Sequence, residues 1–216
     1  MTDTTERTVP PIADEDATVL GQFSELGTST VYEGSGLDCW VHPRLRPIWK
    51  GARIAGRAFT VQAVPGDNLA LQRAVREAPE GSVLVVDGGN EAFGYWGEIL
   101  TEIAALRKLT GLVIDGSVRD IDEIERIGFP IFASGIAMRH AQKKEPGTIG
   151  EPIDLAGRTV RTGDVVVADT DGVIILPQEN IAEALAGGQQ RAQMEVVRLA
   201  TIRAGTVPPM KTEVQL

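Results

Sequence analysis

The segment from Trp96 to Asp120 constrains the fold more than any other part of the chain. Apolar residues at helical spacing follow Gly97 and continue to Lys108, which predicts a helix with one buried face. That face is predicted to hold Ile99, Leu100, Ile103, Ala104 and Leu106. Residues 111–115 form a short apolar run that begins at a glycine, which predicts a buried strand. A helix followed by a buried strand is a unit of α/β proteins, so the segment favours an α/β fold.

Charged side chains stand at both ends of this unit. Glu98 opens the helix, and the pair Arg119-Asp120 follows the strand. Open α/β sheets place their sites beyond the carboxyl ends of strands. There, carboxylate oxygens suit a hard divalent cation and a guanidinium suits a carbonyl or carboxylate. Position alone leaves two other interpretations: Arg119 and Asp120 as an exposed ion pair of little energetic value, or Asp120 as the cap of the next helix.

The remaining pattern predicts a mixed central sheet flanked by helices in one α/β domain over residues 17–204, with disordered tails at 1–16 and 205–216. Helices are predicted at 17–26 with Asp16 as cap, from Thr28, after Asp67, at 120–127 and at 178–203, the last weakened by Gly187-Gly188. Strands are predicted at 53–64 with a bend at Gly56, at 82–87, at 130–134 and as a hairpin over 164–176.

Composition excludes several classes of partner. A formal net charge of -9 on 216 residues disfavours nucleic acid and anionic membranes, which reward clustered Lys and Arg. No apolar run is long enough to span a membrane, and the polar, acidic first residues resemble neither a secretory signal nor a transit peptide. Cys39 is the single cysteine, which fits a reducing, cytoplasmic location and a core position.

Several other polar residues admit both a structural and a functional interpretation. Asp67 either caps the following helix or lies at an anion site, and the Asn68 amide is a candidate for binding a substrate oxygen. Asp115 either orients Arg119 or stabilises a turn before Gly116. The glycine-rich stretch 87–97 lacks both dinucleotide and phosphate-loop signatures, so it is a turn or a place where backbone approaches a small carboxylate. His140 is predicted to be solvated, since two histidines do not make a zinc site.

Five motifs in order carry a resemblance to a known family: LGTSTVYE at 26–33, PGDN at 65–68, WGE at 96–98, DGSVRD at 115–120 and GDVVVADTDGV at 163–173. Together, over about residues 17–190, they resemble the RraA-like family. That family contains class II pyruvate aldolases acting on 4-hydroxy-4-methyl-2-oxoglutarate and 4-carboxy-4-hydroxy-2-oxoadipate. It also contains the regulator of ribonuclease activity A.

The resemblance implies a role for each site residue. Asp120 would ligate Mg²⁺ or Mn²⁺ held largely through water, and Arg119 would bind the 2-oxo acid and stabilise its enolate. Glu98 takes the place of the first Asp in the family pattern of Asp, twenty residues and Arg-Asp, so a longer carboxylate would hold a metal-bound water. The N–H groups of Ile99 and Leu100 would receive the pyruvyl carboxylate, and Asn68 would contact substrate. Glu195 is the candidate for a carboxylate that the family supplies from a neighbouring subunit.

The implied activity is a metal-dependent retro-aldol cleavage of a 4-hydroxy-2-oxo acid to pyruvate, with oxaloacetate decarboxylation through the same enolate. No lysine lies within the motifs to form a Schiff base. The small 2-oxo acid would be bound by a homotrimer or homohexamer with sites at subunit interfaces. The alternative within the family is a non-catalytic inhibitor of a ribonuclease, for which an acidic surface would suit a basic partner.

Overall fold

Residues 14–209 are described by a computed structural model of the chain. They form six α-helices: α1 (Asp14–Leu26), α2 (Thr28–Ser35), α3 (Leu69–Glu77), α4 (Glu98–Leu106), α5 (Ile121–Ile127) and α6 (Ile181–Arg203). The strands are β1 (Arg46–Pro47), β2 (Ile54–Gln62), β3 (Ser82–Asp87), β4 (Gly94–Trp96), β5 (Gly111–Val118), β6 (Ile131–Ile136), β7 (Thr148–Ile149), β8 (Ile153–Leu155), β9 (Arg158–Val160), β10 (Val165–Asp169) and β11 (Gly172–Leu176). A 3-10 turn, Gln178–Asn180, precedes α6.

The sheet is mixed, as predicted. Its order is β1-β6-β5-β3-β2-β10-β11, with β4 beside β5 and β7 beside β2. The central pairs β2–β3, β3–β5 and β5–β6 are parallel, whereas β10 pairs antiparallel with both β2 and β11. The carboxyl ends of four neighbouring parallel strands, β2, β3, β5 and β6, therefore meet at one edge, the place where α/β sheets form sites. β8 and β9 form a separate hairpin.

Burial on both faces explains the nearly continuous apolar strands. Leu84, Val86, Leu112 and Ile114 face a core with α3, α4 and α5. The opposite faces of the same strands pack against alternate residues of β10 and β11. The other alternate residues of that hairpin contact α1, α2 and α6. The molecule therefore has helices on its two outer sides and two layers of strands between them.

Several predicted details are wrong. α1 begins at Asp14, so Asp16 is inside the helix; its carboxylate accepts a hydrogen bond of 2.9 Å from Nε of Arg57 instead of capping. β2 continues through Gly56 without a bend; a Cβ there would lie 2.7 Å from Cγ2 of Val83, so close strand packing accounts for this glycine. Residues 1–13 and 210–216 of the predicted tails lie outside the described part of the chain.

The predicted buried face of α4 is also wrong in part. Leu100 and Ala104 are buried, but Ile99 and Leu106 are 76% and 84% exposed. The apolar residues of this helix extend around more than one face, and only the one toward α3 and α5 is covered. Helical spacing predicted the helix correctly but not the limits of its contact surface.

α6 passes through Gly187-Gly188 without interruption. A Cβ on Gly187 would overlap the carbonyl oxygen of Gly34, and one on Gly34 would meet the backbone of Gly187. These glycines therefore bring α2 and α6 into backbone contact, which offsets their low helix propensity. Among residues 14–209, no helix is both long and apolar enough to cross a bilayer.

Candidate active site at the end of strand β5

The short strand β4 precedes α4 and pairs with the end of β5, so it places the start of α4 beside that strand end. β4 pairs in parallel with the end of β5, with Gly94 opposite Ser117 and Trp96 opposite Val118. The next backbone bond runs from the N–H of Arg119 to the carbonyl oxygen of Trp96 (3.0 Å). Gly97-Glu98 and Arg119-Asp120, far apart in the chain, are therefore neighbours at the edge where the parallel strands end.

Asp120 binds the neighbouring helix instead of its own. Its Oδ2 accepts a hydrogen bond from the N–H of Glu98, the first residue of α4 (3.0 Å). No N–H of α5, which begins at Ile121, donates a capping hydrogen bond to this side chain. The alternative interpretation of Asp120 as the cap of its own helix is thus wrong, although α5 spans nearly the predicted residues. A carboxylate at the positive end of α4 is electrostatically favourable.

Gly97 leaves the space that Asp120 occupies. A Cβ on Gly97 would overlap Oδ2 of Asp120. The backbone of Gly97 is extended (φ −159°), so the requirement for glycine here is one of space and not of conformation. Gly94 has a similar role for Arg119, whose Cδ would lie 2.9 Å from an added Cβ.

Arg119 and Asp120 form a loose pair. Nε of Arg119 lies 3.8 Å from Oδ2 of Asp120, beyond hydrogen-bond distance, and both side chains are about 40% exposed, at 43% and 39%. An exposed pair of this kind contributes little to stability. The Arg119 guanidinium is hydrogen-bonded to no carboxylate among residues 14–209, so its donors are available to a ligand.

These residues border a cleft of about 150 Å³. Its walls come from α3, β4, α4 and the loop after β6, and are formed by Asn68, Gln72, Arg76, Gly94–Gly97, Ile99, Leu100, Ile103, Arg119, Asp120, His140, Ala141 and Lys143. The structure therefore brings together five of the predicted site residues: Asn68, Ile99, Leu100, Arg119 and Asp120. The volume is below that of sites for drug-sized ligands and suits a small metabolite.

Glu98 and Glu195 stand apart from this lining. The side chain of Glu98 is exposed at the start of α4, next to the cleft, and its backbone is what contacts Asp120. Glu195 is on α6, where its Oε1 accepts a hydrogen bond of 2.7 Å from Nε of Arg191. Its predicted role depends on a neighbouring subunit and stays a prediction.

The first turn of α4 provides the other feature of an anion site. N–H groups in the first turn of a helix have no carbonyl partner within it, and the helix dipole adds positive potential. Ile99 and Leu100 both lie in this turn and line the cleft. A carboxylate in the cleft could therefore reach these N–H groups, as predicted, and Arg119 lines the same cleft.

Asn68 and Asp67 have structural contacts at the start of α3. Nδ2 of Asn68 donates to the carbonyl oxygen of Tyr95 (2.8 Å), and its Oδ1 accepts from Nε2 of Gln72 (3.0 Å). Asp67 is buried; its Oδ1 accepts from the N–H of Leu69 and its Oδ2 from those of Lys144 and Glu145. Asp67 therefore binds the first N–H of α3, although the N-cap residue is Asn68 and not Asp67 as predicted. Asn68 borders the cleft while binding β4.

The pKa of Asp67 follows from these contacts. Burial by itself would raise it, but the three backbone N–H groups and the Lys144 charge together lower the pKa below its ordinary value. A carboxylate with three such donors is held ionised. It fixes the loop that carries Lys143 against the first turn of α3.

Both interpretations of Asp115 are wrong. Its carboxylate receives two hydrogen bonds from Arg44, from Nε at 2.9 Å and from Nη2 at 2.7 Å. β5 continues through Asp115 to Val118, so no turn forms at Gly116. Neither the bidentate pair nor the extra strand length is visible in local spacing, since Arg44 is distant in the chain. The hydrogen bonds to Asp115 raise the pKa of Arg44.

Sequence reasoning missed Gln72, Arg76 and Lys143, and it treated His140 as merely solvated. His140 is exposed as predicted, but it lines the cleft. The spacing of Asn68, Gln72 and Arg76 by four residues was an available signal, because such residues share one face of a helix. The loop residues gave no comparable signal. Cys39 is buried as predicted, and burial raises the pKa of its thiol.

The carboxylate oxygens at the cleft suit a metal ion that keeps most of its water ligands. Within the described range 14–209, no three His, Cys, Asp or Glu side chains are grouped so that they could enclose a metal. Mg²⁺ commonly keeps several waters and takes only one or two protein carboxylates, and Mn²⁺ prefers similar oxygen ligands. Asp120, whose Oδ1 accepts no hydrogen bond among residues 14–209, fits such a largely hydrated ion.

Larger cavities occur elsewhere, but their linings have fewer of the features expected of an active site. One of about 650 Å³ lies between α1 and the ends of β2 and β3, with Arg53 and Glu80 among its lining residues. Another, of about 370 Å³, is mainly apolar and lies beside Tyr32 and Trp40. Neither contains a convergence of strand ends, a helix N-terminus and adjacent opposite charges.

Comparisons with known proteins identify the family to which the chain belongs. The family described as RraA-like (Aldolase/RraA) matches residues 28–175. A protein of Halalkalibacterium halodurans named "Putative 4-hydroxy-4-methyl-2-oxoglutarate aldolase" is 35% identical over 143 residues, covering 64% of this chain and 68% of that protein.

Two solved structures share the fold. An uncharacterized protein from Pseudomonas syringae pv. tomato has a TM-score of 0.81 at 29% identity, over 92% of this chain and 97% of that one. Streptomyces coelicolor RraAS2, described as an unusual member of the RNase ES inhibitor RraA protein family, has a TM-score of 0.77 at 25% identity, over 90% and 100% of the two chains. With more than half of its residues matched by the family, the chain belongs to the RraA-like family.

Proposed function

We propose that this protein is a divalent-metal-dependent lyase. It cleaves a 4-hydroxy-2-oxo acid to pyruvate and a second oxo acid, and it decarboxylates oxaloacetate as a companion activity. One observation carries the proposal: Arg119 and Asp120, at the end of β5, share a small cleft with the first turn of α4. The aldolase name of the Halalkalibacterium halodurans relative supports the same reaction class.

The cleft has groups for each part of a 2-oxo acid. The pyruvyl carboxylate would lie at the N-terminus of α4, where the N–H groups of Ile99 and Leu100 and the helix dipole favour an anion. The guanidinium of Arg119 would donate to the 2-oxo oxygen, and its planar fork would fix the orientation of the carbonyl group. The apolar sides of Ile99 and Leu100 would limit water around the reacting carbons.

Cleavage then requires stabilisation of negative charge on that oxygen. The 4-hydroxyl gives its proton to water, which later returns one to C3, and becomes the carbonyl of the second product, while the C3–C4 bond breaks. The electron pair of that bond moves to C3 and is delocalised onto the 2-oxo oxygen as an enolate, which the positive charge of Arg119 stabilises. A proton added at C3 gives pyruvate. Loss of CO₂ from C4 of oxaloacetate leaves the same enolate.

Asp120 would hold Mg²⁺ or Mn²⁺ directly, and the exposed carboxylate of Glu98 would bind a water beside it. Glu195 of a neighbouring subunit is the proposed third carboxylate, in a trimer or hexamer. When bound, the ion would act as a Lewis acid that polarises the 2-oxo group. Cytoplasmic location is part of the proposal, supported by the lone and buried Cys39.

A coupled pyruvate assay tests this function. With Mg²⁺ or Mn²⁺, the protein is expected to release pyruvate from oxaloacetate and from 4-hydroxy-2-oxo acids, and EDTA is expected to abolish release. Arg119→Ala should lower kcat/KM at least about a hundredfold, near 3 kcal/mol, as for the loss of one donor to a developing oxyanion. Arg126→Ala is the control, since Arg126 pairs with Glu123 on α5 outside the cleft. Metal-independent turnover, or full activity of Arg119→Ala, would refute the proposal.

The solved structure of RraAS2 favours a second candidate, inhibition of a ribonuclease by protein contact. The likeness extends over that whole chain, and an acidic surface would suit a basic partner. An assay of RNase ES with and without the protein discriminates between the two. Inhibition in place of catalysis would be supported if the wild type and Arg119→Ala slow RNA cleavage equally and the wild type releases pyruvate from none of the acids.

A further inference from the structure

Retro-aldol cleavage needs a proton acceptor beside the bond that breaks. The proton of the 4-hydroxyl passes to water, and a proton must later return to C3 of the enolate. Water alone is a weak base, and a fixed side chain that accepts a proton and gives it back accelerates such a step by about 10²–10⁴-fold. This side chain has to lie on the cleft that Arg119 and Asp120 share.

His140 is the lining side chain with the chemistry for this role. The arginine and lysine side chains of the lining are protonated at neutral pH and have no accepting atom. One oxygen of Asp120 accepts a hydrogen bond from the N–H of Glu98, and the other would bind the metal ion. An imidazole, by contrast, both accepts and gives up a proton near neutral pH.

The hydroxyl of Tyr95 also lines the cleft, but its contacts exclude it as the acceptor. It accepts a hydrogen bond from the N–H of Gly66 (2.8 Å) and donates one to the carbonyl oxygen of Gly88 (3.0 Å). Burial raises the pKa of Tyr95 above its ordinary value. The side chain of His140, in contrast, has no hydrogen-bond or ion-pair partner among residues 14–209, so its imidazole is available for proton transfer.

The backbone places His140 next to Arg119. His140 forms a parallel bridge with Gly94, whose N–H donates to the carbonyl oxygen of Arg139 (2.8 Å). Residues paired in this way lie about 5 Å apart and direct their side chains to the same face. On that face of Gly94, an added Cβ would lie 2.9 Å from Cδ of Arg119. The His140 side chain therefore lies on the side of Gly94 along which the Arg119 side chain passes.

Contacts on both sides hold His140 in place. The guanidinium of Arg139 lies over the ring of Phe93, with Cζ 4.1 Å from the ring centroid. Ala141 is buried in the core that α3, α4 and α5 share. His140 itself is exposed, so water in the cleft can reach its imidazole. A proton acceptor that is already positioned removes part of the entropic cost of the reaction.

We propose that His140 takes the 4-hydroxyl proton from this water and returns it to C3. The inference rests on the proposed function and adds its proton path. As the O–H bond breaks, its electron pair forms the new carbonyl, the C3–C4 pair becomes the enolate, and the imidazole becomes imidazolium. The enolate pair then forms the C3–H bond with the returned proton, and the imidazole is neutral again.

Decarboxylation of oxaloacetate separates this role from a structural one. CO₂ leaves C4 without removal of a proton from the acid, so the bond-breaking step needs stabilisation of the enolate but no base. His140→Gln is expected to lower kcat for 4-hydroxy-4-methyl-2-oxoglutarate at least about a hundredfold, the loss of a general base. The same variant should lower CO₂ release from oxaloacetate less than about fivefold, because only the later protonation of C3 is affected.

Deuterium exchange into pyruvate follows the proton step without cleavage of a carbon–carbon bond. In D₂O with Mg²⁺, His140 removes a proton from the methyl group, the enolate forms, and a deuteron returns to the same carbon. The decay of the methyl signal in NMR spectra gives the rate. His140→Gln is expected to slow this exchange at least about a hundredfold.

His42→Gln is the matched control, because His42 is the other of the two histidines and lies outside the lining of the cleft. It should change each rate less than about twofold. Calorimetric titration with 2-oxobutyrate in the presence of Mg²⁺ checks the cleft itself. His140→Gln is expected to keep the wild-type Kd within about twofold, since the imidazole is not assigned to binding.

Equal loss of cleavage and of CO₂ release, loss of 2-oxobutyrate affinity, or full cleavage by His140→Gln would overturn the inference and leave the proposed function standing. If the wild type releases neither pyruvate nor CO₂, the proposed function fails. The exchange experiment then decides on His140: wild-type exchange that His140→Gln abolishes supports the proton role, and absence of exchange in the wild type overturns it.

Discussion

Asp120 occupies a left-handed backbone conformation (φ 60°) that residues other than glycine seldom adopt. Such strain persists where surrounding contacts fix it, often at functional sites. Here the hydrogen bond from Glu98 N–H and the space left by Gly97 hold the carboxylate at the start of α4. The position of this carboxylate therefore depends on the absence of a single methyl group from its neighbour.

Gly97→Ala tests that dependence. The added Cβ would displace the Asp120 carboxylate, and a displacement of about 1 Å at a reacting centre can lower kcat/KM by about a hundredfold. Stability should change little, because the extended φ of Gly97 suits alanine. Pyruvate release and urea denaturation measure the two effects. Gly21→Ala, in open space on α1, is the control. Unchanged activity of Gly97→Ala would show that the position of Asp120 is not critical.

Among the elements, α3 and the loop after β6 act as one unit because Asp67 binds both. Its carboxylate takes N–H groups from Leu69 at the helix start and from Lys144 and Glu145 in the loop. The cleft wall that contains Arg76 and the loop that contains Lys143 are thereby held together. A stability term linked to pH follows from the lowered pKa of Asp67.

Because folding lowers the pKa of Asp67, its ionised carboxylate stabilises the folded state and its protonation removes that stabilisation. The stabilisation is fully present above the ordinary Asp value of 3.8, and it is lost as the pH falls through the lower pKa of the folded state. At neutral pH, Asp67→Asn should lower the free energy of unfolding by about 1–2 kcal/mol, because the amide keeps one accepting oxygen but loses the charge and the second acceptor. The difference from wild type should shrink as the pH falls below about 4.

Urea denaturation across this pH range measures that difference. Asp122→Asn, an exposed change on α5, should stay within about 0.5 kcal/mol of wild type at every pH. A deficit of Asp67→Asn that is the same at neutral and acidic pH would contradict the role assigned to the ionised carboxylate.

At the scale of the whole molecule, the second half of α6 exposes apolar side chains that no other element of the chain covers. Its exposed apolar side chains are Met194, Val196, Val197, Leu199 and Ile202. Several large exposed apolar side chains on one helix commonly mark a protein interface. Glu195 lies among them, so the proposed trimer or hexamer and the proposed role of Glu195 in a neighbouring site depend on the same surface.

Analytical ultracentrifugation tests the assembly. The wild-type protein is expected to sediment at three or six times the 23.1 kDa mass of the chain. Val197→Glu places a charge on the exposed apolar surface and is expected to shift the protein to smaller species, with loss of pyruvate release. Arg198→Gln, at the adjacent position, should preserve the assembly. A monomeric and fully active wild type would contradict both the assembly and the role of Glu195.

The sequence alone determined what depends on local pattern. Apolar periodicity predicted α4, β3 and the hairpin of β10 and β11, because secondary structure follows from which residues must be buried at which spacing. The pattern also placed Glu98 at a helix start and Arg119-Asp120 beyond a strand, and parallel α/β topology then brought those ends together. The family followed from motif order and is confirmed by the match over residues 28–175.

Only the tertiary structure decided which partner each polar side chain has. Asp115 binds Arg44, Asp120 caps α4 rather than α5, and Gly187 permits the contact of α6 with α2. Each of these contacts joins residues that are distant in the chain, so neither periodicity nor propensity could reveal it. The cationic lining by Arg76 and Lys143 has the same origin. Local sequence fixes elements through burial, whereas hydrogen-bond and charge partners are chosen by packing between elements.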